Sequence, residues 1–322
     1  MLQAPARWYQ PRPSLRCRAL QGAGLLYALA VAWARRSGAG LRLPVPVVSV
    51  GNLTLGGTGK TPLVIALARE LQRRGHRVAV LLRGYGGTSR LSCQVDGAHD
   101  ATTVGDEALE YRQQLPDAQV WVGRDRLASG RAAIAAGANL LLLDDGLQHW
   151  RLARDLDITV LDRAHGLGNG LVFPAGPLRE PARQLGRADL LVLTGSGPAA
   201  AAALPWPAAK PRFQLSSWIA PPAALAGLPL LAFCGIGLPV LERRSFPDHH
   251  PYAPQDLHRL QQRASTLQAT LVTTVKDWQR LPAGWQERVV PLPLVLDPEV
   301  VAAITDAVLQ RLAAWPGEAT DA

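Results

Sequence analysis

The sequence predicts an α/β fold: a mostly parallel sheet with helices on both faces, a smaller α/β domain behind it and one separate helix in front. Three observations carry this. Short apolar runs alternate with helical patterns along most of the chain. Two of the runs, Val45-Pro46-Val47-Val48-Ser49-Val50 and Leu140-Leu141-Leu142-Leu143, are apolar almost end to end, as strands covered on both faces must be. The first of them continues through Leu53-Thr54-Leu55-Gly56-Gly57-Thr58-Gly59-Lys60-Thr61 into the helical pattern Pro62–Leu71. Strand, glycine-rich turn and helix thus follow one another directly. The expected division is residues 1–40 as a membrane-associated helix, 41–195 as the main domain and 196–322 as the smaller one.

Size and composition narrow the class. The chain has 322 residues, 48% hydrophobic and 18% charged, which is ample for a large core and excludes a disordered protein. The net charge of +9 calls for an anionic partner: nucleic acid, membrane or phosphorylated substrate. The basic residues are spread out, with no Lys/Arg block and no interleaved aromatic stripe, so nucleic acid is set aside. Cys17, Cys93 and Cys234 are odd in number, far apart and in no metal-ligand spacing, which fits a reduced setting.

The elements follow in order. Arg12, Arg16 and Arg18 precede an apolar run from Ala19 to Ala34, closed by Arg35-Arg36. The run is short of the ~20 residues that span a bilayer. Its Ala28-Leu29-Ala30 could pass for a cleavage site, but a nucleotide-type loop about twenty residues on argues against secretion. A helix lying in the membrane surface fits better, with Leu25, Leu26, Leu29 and Trp33 inserted and arginines on anionic headgroups; an ordinary core helix is the alternative. After the glycine-rich turn, strands are expected at Val78–Leu82, Ala118–Val122, Asn139–Asp145, Ile158–Asp162 and Leu190–Thr194, with helices at Ala108–Gln114 and Leu127–Ala136. Gly195 to Pro211, rich in Gly, Ala and Pro, reads as a linker. Strands at Arg212–Leu215, Leu230–Cys234, Leu271–Thr274 and Val289–Leu292 and a closing helix at Pro298–Ala314 make up the smaller domain.

Several motifs carry chemistry. Gly56, Gly57, Thr58, Gly59, Lys60 and Thr61 form a P-loop: backbone N–H groups and a helix N-terminus cradle phosphate, Lys60 adds a full charge and Thr61 offers a hydroxyl to Mg²⁺. The fold is accordingly P-loop NTPase-like. Thr54 stands where the general pattern has its first glycine. Lys occurs only at 60, 210 and 276 among 34 basic residues, so this Arg-using chain keeps a compact charge for the loop. Leu140–Asp145 delivers a carboxylate at a strand end, where Asp144 or Asp145 can meet Mg²⁺ or only cap a turn. Asp106 and Glu107 open a helical pattern, as N-terminal helix charges or as a general base that accepts a hydroxyl proton in phosphoryl transfer. Phe246-Pro247-Asp248-His249-His250 is a dense polar cluster, in which His beside a carboxylate can orient it; zinc and a solvated loop are the rivals. Arg179 could clamp phosphate and Glu180 join a metal shell. Arg83-Gly84-Tyr85-Gly86-Gly87 is a substrate contact or a plain glycine turn.

Together these segments resemble the lipid A 4′-kinase (tetraacyldisaccharide 4′-kinase) family. The matching stretches are Val50-Gly51-Asn52-Leu53-Thr54 into Gly56–Pro62, Arg83–Gly86, Val104–Glu107, Val122–Arg126, Leu143–His149, Pro174–Glu180, Phe246–His250 and Thr273–Asp277, in family order over nearly the whole chain. The Thr54 departure is shared with that family. The resemblance implies an enzyme on the cytoplasmic side of the bacterial inner membrane, transferring the γ-phosphate of ATP to the 4′-hydroxyl of a tetraacylated disaccharide 1-phosphate. It implies Asp106 as base with His249 as its partner, Lys60 and Thr58 on the phosphates, and Thr61, Asp144 and Glu180 serving Mg²⁺. One departure is clear: after Gly235-Ile236-Gly237 only Leu238 to Ser245 stand where the family has a helix and a strand. A P-loop switch ATPase or GTPase of the partitioning or metal-insertion type, and a catalytically weakened family member, are the other readings.

Overall fold

The computed structural model describes residues 5–10, 12–38, 40–89, 91–195, 204–233, 241–244, 246, 250 and 252–315. The chain forms two compact units: one holds Ser217–Val295, the other the chain before it and the segment from Leu296 on.

The larger unit begins with α1 (Leu15–Ala19) and α2 (Gln21–Ser37). The Ser14 hydroxyl caps α1 by accepting from the Cys17 N–H, and Arg35 and Arg36 sit in the last turn of α2, where cations favour the helix dipole. One face of α2 is docked. Gly24 lies so close to the Val172 carbonyl that a Cβ would meet it at 2.9 Å, Tyr27 packs edge-on to Phe173, and Arg35 donates to Gln184. The other face is open: Leu25, Leu26, Leu29 and Trp33 are 59–72% exposed. Among the described residues no helix is long and apolar enough to cross a membrane.

Then come β1 (Val47–Gly51), α3 (Lys60–Arg73), β2 (Val78–Leu82), β3 (Cys93–Gln94), α4 (Ala101–Val104), α5 (Asp106–Gln114), β4 (Gln119–Val122), α6 (Arg126–Ala135), β5 (Leu140–Asp144), β6 (Leu156–Asp162), β7 (Leu190–Thr194) and β8 (Arg212–Leu215). They build one sheet in the order β3-β4-β2-β5-β1-β6-β7-β8, parallel throughout except at the β3 edge. In β1, β2 and β5 every residue is buried, which is why these strands read as unbroken apolar runs. The order places β1 between β5 and β6, so the turn leaving β1 and the acids ending β5 share one edge of the sheet.

The smaller unit comprises β9 (Ser217–Ile219), β10 (Leu230–Phe233), β11 (Glu242–Arg244), α7 (Pro254–Leu267), β12 (Thr270–Thr274), α8 (Val275–Trp278), α9 (Ala283–Gln286), β13 (Val290–Leu292) and β14 (Leu294–Leu296). Its main sheet, β11-β10-β12-β13, is parallel. Leu257, Leu260 and Ala264 of α7 pack with Leu231, Phe233 and Leu271. The strand β11 falls inside the shortened stretch Leu238–Ser245, so the trimmed segment still contributes a strand.

The final helix, α10 (Pro298–Leu312), returns to the larger unit. The boundary therefore differs from the expected 195/196 division. β8 adds to β7, and Val301, Ile304 and Val308 of α10 enter the core shared with Leu63, Leu67 and Leu71 of α3. Arg74, the C-cap of α3, pairs with Asp306 of α10. Burying that apolar stripe outweighs keeping sequence neighbours together.

Candidate active site

The turn between β1 and α3 has the geometry its glycines suggest. Gly56 and Gly59 take φ values of 112° and 77°, which side chains with a Cβ rarely adopt. Gly59 caps α3, whose first turn holds no acidic residue. The first N–H groups of a helix lack intrahelical partners, and Pro62 costs none here because its missing donor would have been one of those. The Asn52 side-chain amide staples the turn from inside, donating to the Gly56 carbonyl (3.3 Å) and the Thr58 hydroxyl (3.2 Å). The Thr194 hydroxyl, at the end of β7, donates to the Thr58 carbonyl at 2.9 Å.

Thr54 has a different place from the one expected. It is buried and forms an antiparallel bridge with Leu178, flanked by Leu55 N–H to the Pro177 carbonyl and Arg179 N–H to the Leu53 carbonyl. Extended pairing needs no glycine, so the departure from the general pattern is accounted for: residues 53–55 are a strand-like strap on the Pro177–Arg179 loop, and the cradle proper begins at Gly56.

Asp144 and Asp145 close the C-terminal end of β5. The Asp144 carboxylate is buried; Oδ2 accepts from the Tyr111 hydroxyl at 2.9 Å, and Oδ1 has no hydrogen-bond partner among the described residues. Burial pushes this carboxyl above its ordinary pKa, while the Lys60 charge pulls it down. Asp145 turns out of the strand with φ 52°. It faces Lys60 Nζ at 3.7 Å and accepts from Arg179 at 2.7 Å. Burial works to raise its pKa, but Lys60 and Arg179 outweigh that and hold it below the ordinary value.

Glu180, expected at the metal, is held among side-chain donors. It is buried, and both its oxygens are engaged: Gln148 donates to Oε1 at 3.0 Å and Arg187 to Oε2 at 3.1 Å. A carboxylate so enclosed by donors has a positioning part. Through Gln148, whose Oε1 accepts from Arg179 at 3.2 Å, it steadies Arg179 on Asp145.

Asp106 is the first residue of α5. Its placement is set by backbone docking. Gly105, with φ 87°, lies so near the Tyr85 carbonyl that a Cβ would meet it at 2.4 Å, and a Cβ on Gly87 would meet the Thr103 carbonyl at 2.6 Å. Thr88 and Ser89 N–H groups add bonds to the Thr102 and Thr103 carbonyls. The Arg83–Gly87 turn is therefore a dock that brings the start of α5 to the end of β2. Tyr111, later on α5, reaches Asp144, so the helix that Asp106 opens and the strand-end acid are joined directly.

On the same edge Arg126 is buried and donates to the Asp144 carbonyl at 3.0 Å. His149 is held neutral: burial, with Arg126 and Arg154 adding to it, lowers its pKa to about 4. Of the sequence candidates, Gly56–Thr61, Asp144 and, through Tyr111, Asp106 come together. His249 lies outside the described residues. Its neighbour His250 meets Asp256 at 3.1 Å, at the start of α7. Tyr111 was not among the candidates, and Asn52 and Gln148 entered only within longer motifs without a role; a Tyr inside a helical pattern and an amide beside a strand carry no signal of the partner they will find.

The residues present fit a divalent cation of the magnesium type. Such a cation is held by one or two carboxylates and a hydroxyl, with phosphate oxygens completing its shell. Asp144 Oδ1, buried and unpartnered, is one such donor, and Thr61 in the first turn of α3 is another. Among the described residues no group of three or more His, Cys, Asp or Glu forms a metal cage.

Comparison with known proteins follows the same line. A family described as tetraacyldisaccharide-1-P 4′-kinase (LpxK) matches residues 17–313. A tetraacyldisaccharide 4′-kinase of Methylobacterium sp. (strain 4-46) is 42% identical, the match covering 94% of this chain and 96% of that one. Its counterpart from Nitrobacter hamburgensis is 44% identical over 87% of this chain and 88% of its own. Among solved structures, LpxK from Aquifex aeolicus in complex with ATP is similar with a TM-score of 0.72 and 28% identity, covering 92% of this chain and 99% of that one. Such a match, over nearly the whole chain, favours this family over a partitioning or metal-insertion ATPase: the chain belongs to the tetraacyldisaccharide 4′-kinase family.

Proposed function

We propose that this protein transfers the γ-phosphate of ATP to the 4′-hydroxyl of a tetraacyldisaccharide 1-phosphate, working at the cytoplasmic surface of the bacterial inner membrane. The observation that carries the reading is the meeting, on one sheet edge, of an anion cradle and a buried carboxylate with one open oxygen. The cradle of Gly56–Lys60 takes the β- and γ-phosphates, with Lys60 as a point charge on them. Asp106 takes the proton as the sugar O4′ forms its bond to the γ-phosphorus; the bond from that phosphorus to the bridging oxygen breaks, and ADP leaves with the electron pair. The family resemblance assigns His249 the part of partner to Asp106. Asp144 and Thr61, with Glu180 beside them in the family reading, would hold magnesium, which would neutralise phosphate charge. Arg126 and neutral His149, lining the same edge, suit the polar head of the acceptor.

The test is purified full-length protein with labelled ATP and the lipid disaccharide. Acceptor-dependent appearance of a new phosphomonoester is expected. ATP hydrolysis indifferent to the lipid would mean a switch, and ATP binding without transfer a weakened relative.

The open face of α2 gives the membrane reading its support. Each apolar side chain moved out of water contributes about 2 kcal/mol. Leu26→Asp with Leu29→Asp is thus expected to lower co-flotation with anionic vesicles roughly 10²–10³-fold while ATP binding is unchanged. Unaltered flotation would remove α2 from the membrane contact.

A further inference from the structure

Tyr111 ranks first by size among the fully buried side chains. It lies in the main core with Val104, Ala108, Leu115 and Val120, an apolar setting that phenylalanine would fill equally well. What phenylalanine lacks is the hydroxyl, and that hydroxyl donates to Asp144 Oδ2 at 2.9 Å. The bond occupies one carboxylate oxygen and leaves the other, Oδ1, buried without a hydrogen-bond partner among the described residues. Arg126 in turn donates to the Asp144 backbone carbonyl at 3.0 Å. The carboxylate plane is therefore set by the protein before any ligand arrives. Tyr111 also stands on the helix that begins at Asp106, five residues after it.

We propose that Tyr111 is a positioning residue for phosphoryl transfer: its phenol aims the free oxygen of Asp144 at the cation site and ties the helix of Asp106 to the same strand end. This rests on the reading of Asp144 as a cation ligand. Partners that orient a ligating carboxylate are worth about as much as a ligand's own alignment: their loss typically costs ~10–100-fold in metal affinity. A carboxylate released from the phenol can turn about its last bond toward Lys60, whose charge already bears on it. It then meets the P-loop lysine instead of the cation.

The experiment is Tyr111→Phe in the full chain, beside Asp144→Asn and the double variant. Mn²⁺ binding in the presence of ATP is read by electron paramagnetic resonance, and ATP binding with and without Mg²⁺ by calorimetry. For Tyr111→Phe, affinity for Mn²⁺ in the ternary complex should fall ~10–100-fold, with metal-free ATP binding and the KM for the lipid unchanged. In the Asp144→Asn background the same substitution should have no further effect on Mn²⁺, because the phenol acts through that carboxylate. A lower melting temperature with wild-type Mn²⁺ affinity would reduce Tyr111 to packing and overturn the proposal. Wild-type Mn²⁺ affinity in Asp144→Asn would instead overturn the metal reading beneath it.

Discussion

Asp106→Asn is expected to lower phosphate transfer about 10²–10⁴-fold while leaving ATP affinity unchanged. The change is nearly isosteric. Asp106 opens α5 directly after Gly105, whose backbone is wedged against the Tyr85 carbonyl, so the position is fixed by main chain and not by the carboxylate. Asparagine keeps that geometry and loses only the capacity to take a proton. In the proposed function the nucleotide is gripped elsewhere, by the turn from Gly56 to Lys60 and the start of α3. The effect should therefore fall on kcat, read in single-turnover assays with labelled ATP and saturating lipid, with calorimetry as the control for binding. Turnover within a few-fold of the parent would exclude Asp106 as the base and leave the proton to solvent or another group. An equal fall in ATP affinity would mean that α5 contributes to the cradle itself.

The parts of this molecule that sequence discloses are those decided by local chemistry. β2 and β7 coincide with their apolar runs, Val78–Leu82 and Leu190–Thr194, because a strand covered on both faces must be apolar at every residue. The phosphate turn is legible because glycine, lysine and proline each have a conformational or electrostatic reason to be there. The short edge strand Cys93–Gln94 escapes such reading, since two residues carry no period. So does α7, although its buried Leu257, Leu260 and Ala264 keep helical spacing and a Pro254 start marks its first turn; that signal was available. The return of α10 to the larger unit is settled by which apolar surface lies open to it, and nothing in residues 298–312 names that surface. The same holds for the polar partners. Glu180 reads as a candidate metal ligand beside Arg179 in sequence, and nothing there discloses that Gln148 and Arg187 both donate to it in three dimensions.

Lys60→Met is the second large loss, about 10²–10³-fold in transfer by comparison with removal of one preorganised donor to developing charge, and here ATP binding weakens as well. Lys60 Nζ stands 3.7 Å from Asp145 Oδ1, its side chain only 13% exposed. The ammonium is thus parked at the strand end that carries the acids, ready to exchange a carboxylate for a phosphate. Methionine matches the stem and deletes the charge. The fold should tolerate it, because Asp145 keeps Arg179 at 2.7 Å and is half-buried, so the lost pair is worth about 1 kcal/mol or less. Asp145 has its pKa held down in the folded state, so its contribution is present above the ordinary carboxylate value and fades as pH falls through the lowered one. Any melting-temperature deficit of Lys60→Met should accordingly be seen at neutral pH and shrink in acid. Lys60→Arg restores the charge but not its compactness, and a planar guanidinium does not fit a turn built around a point cation; it should recover stability without recovering transfer. The decisive reading is this separation, measured by thermal melts at pH 7 and by labelled-ATP turnover on the same preparations. Transfer restored by arginine to near the parent level would show that the site needs only a positive charge, and the case for a shaped phosphate cradle at Gly56–Lys60 would fail with it.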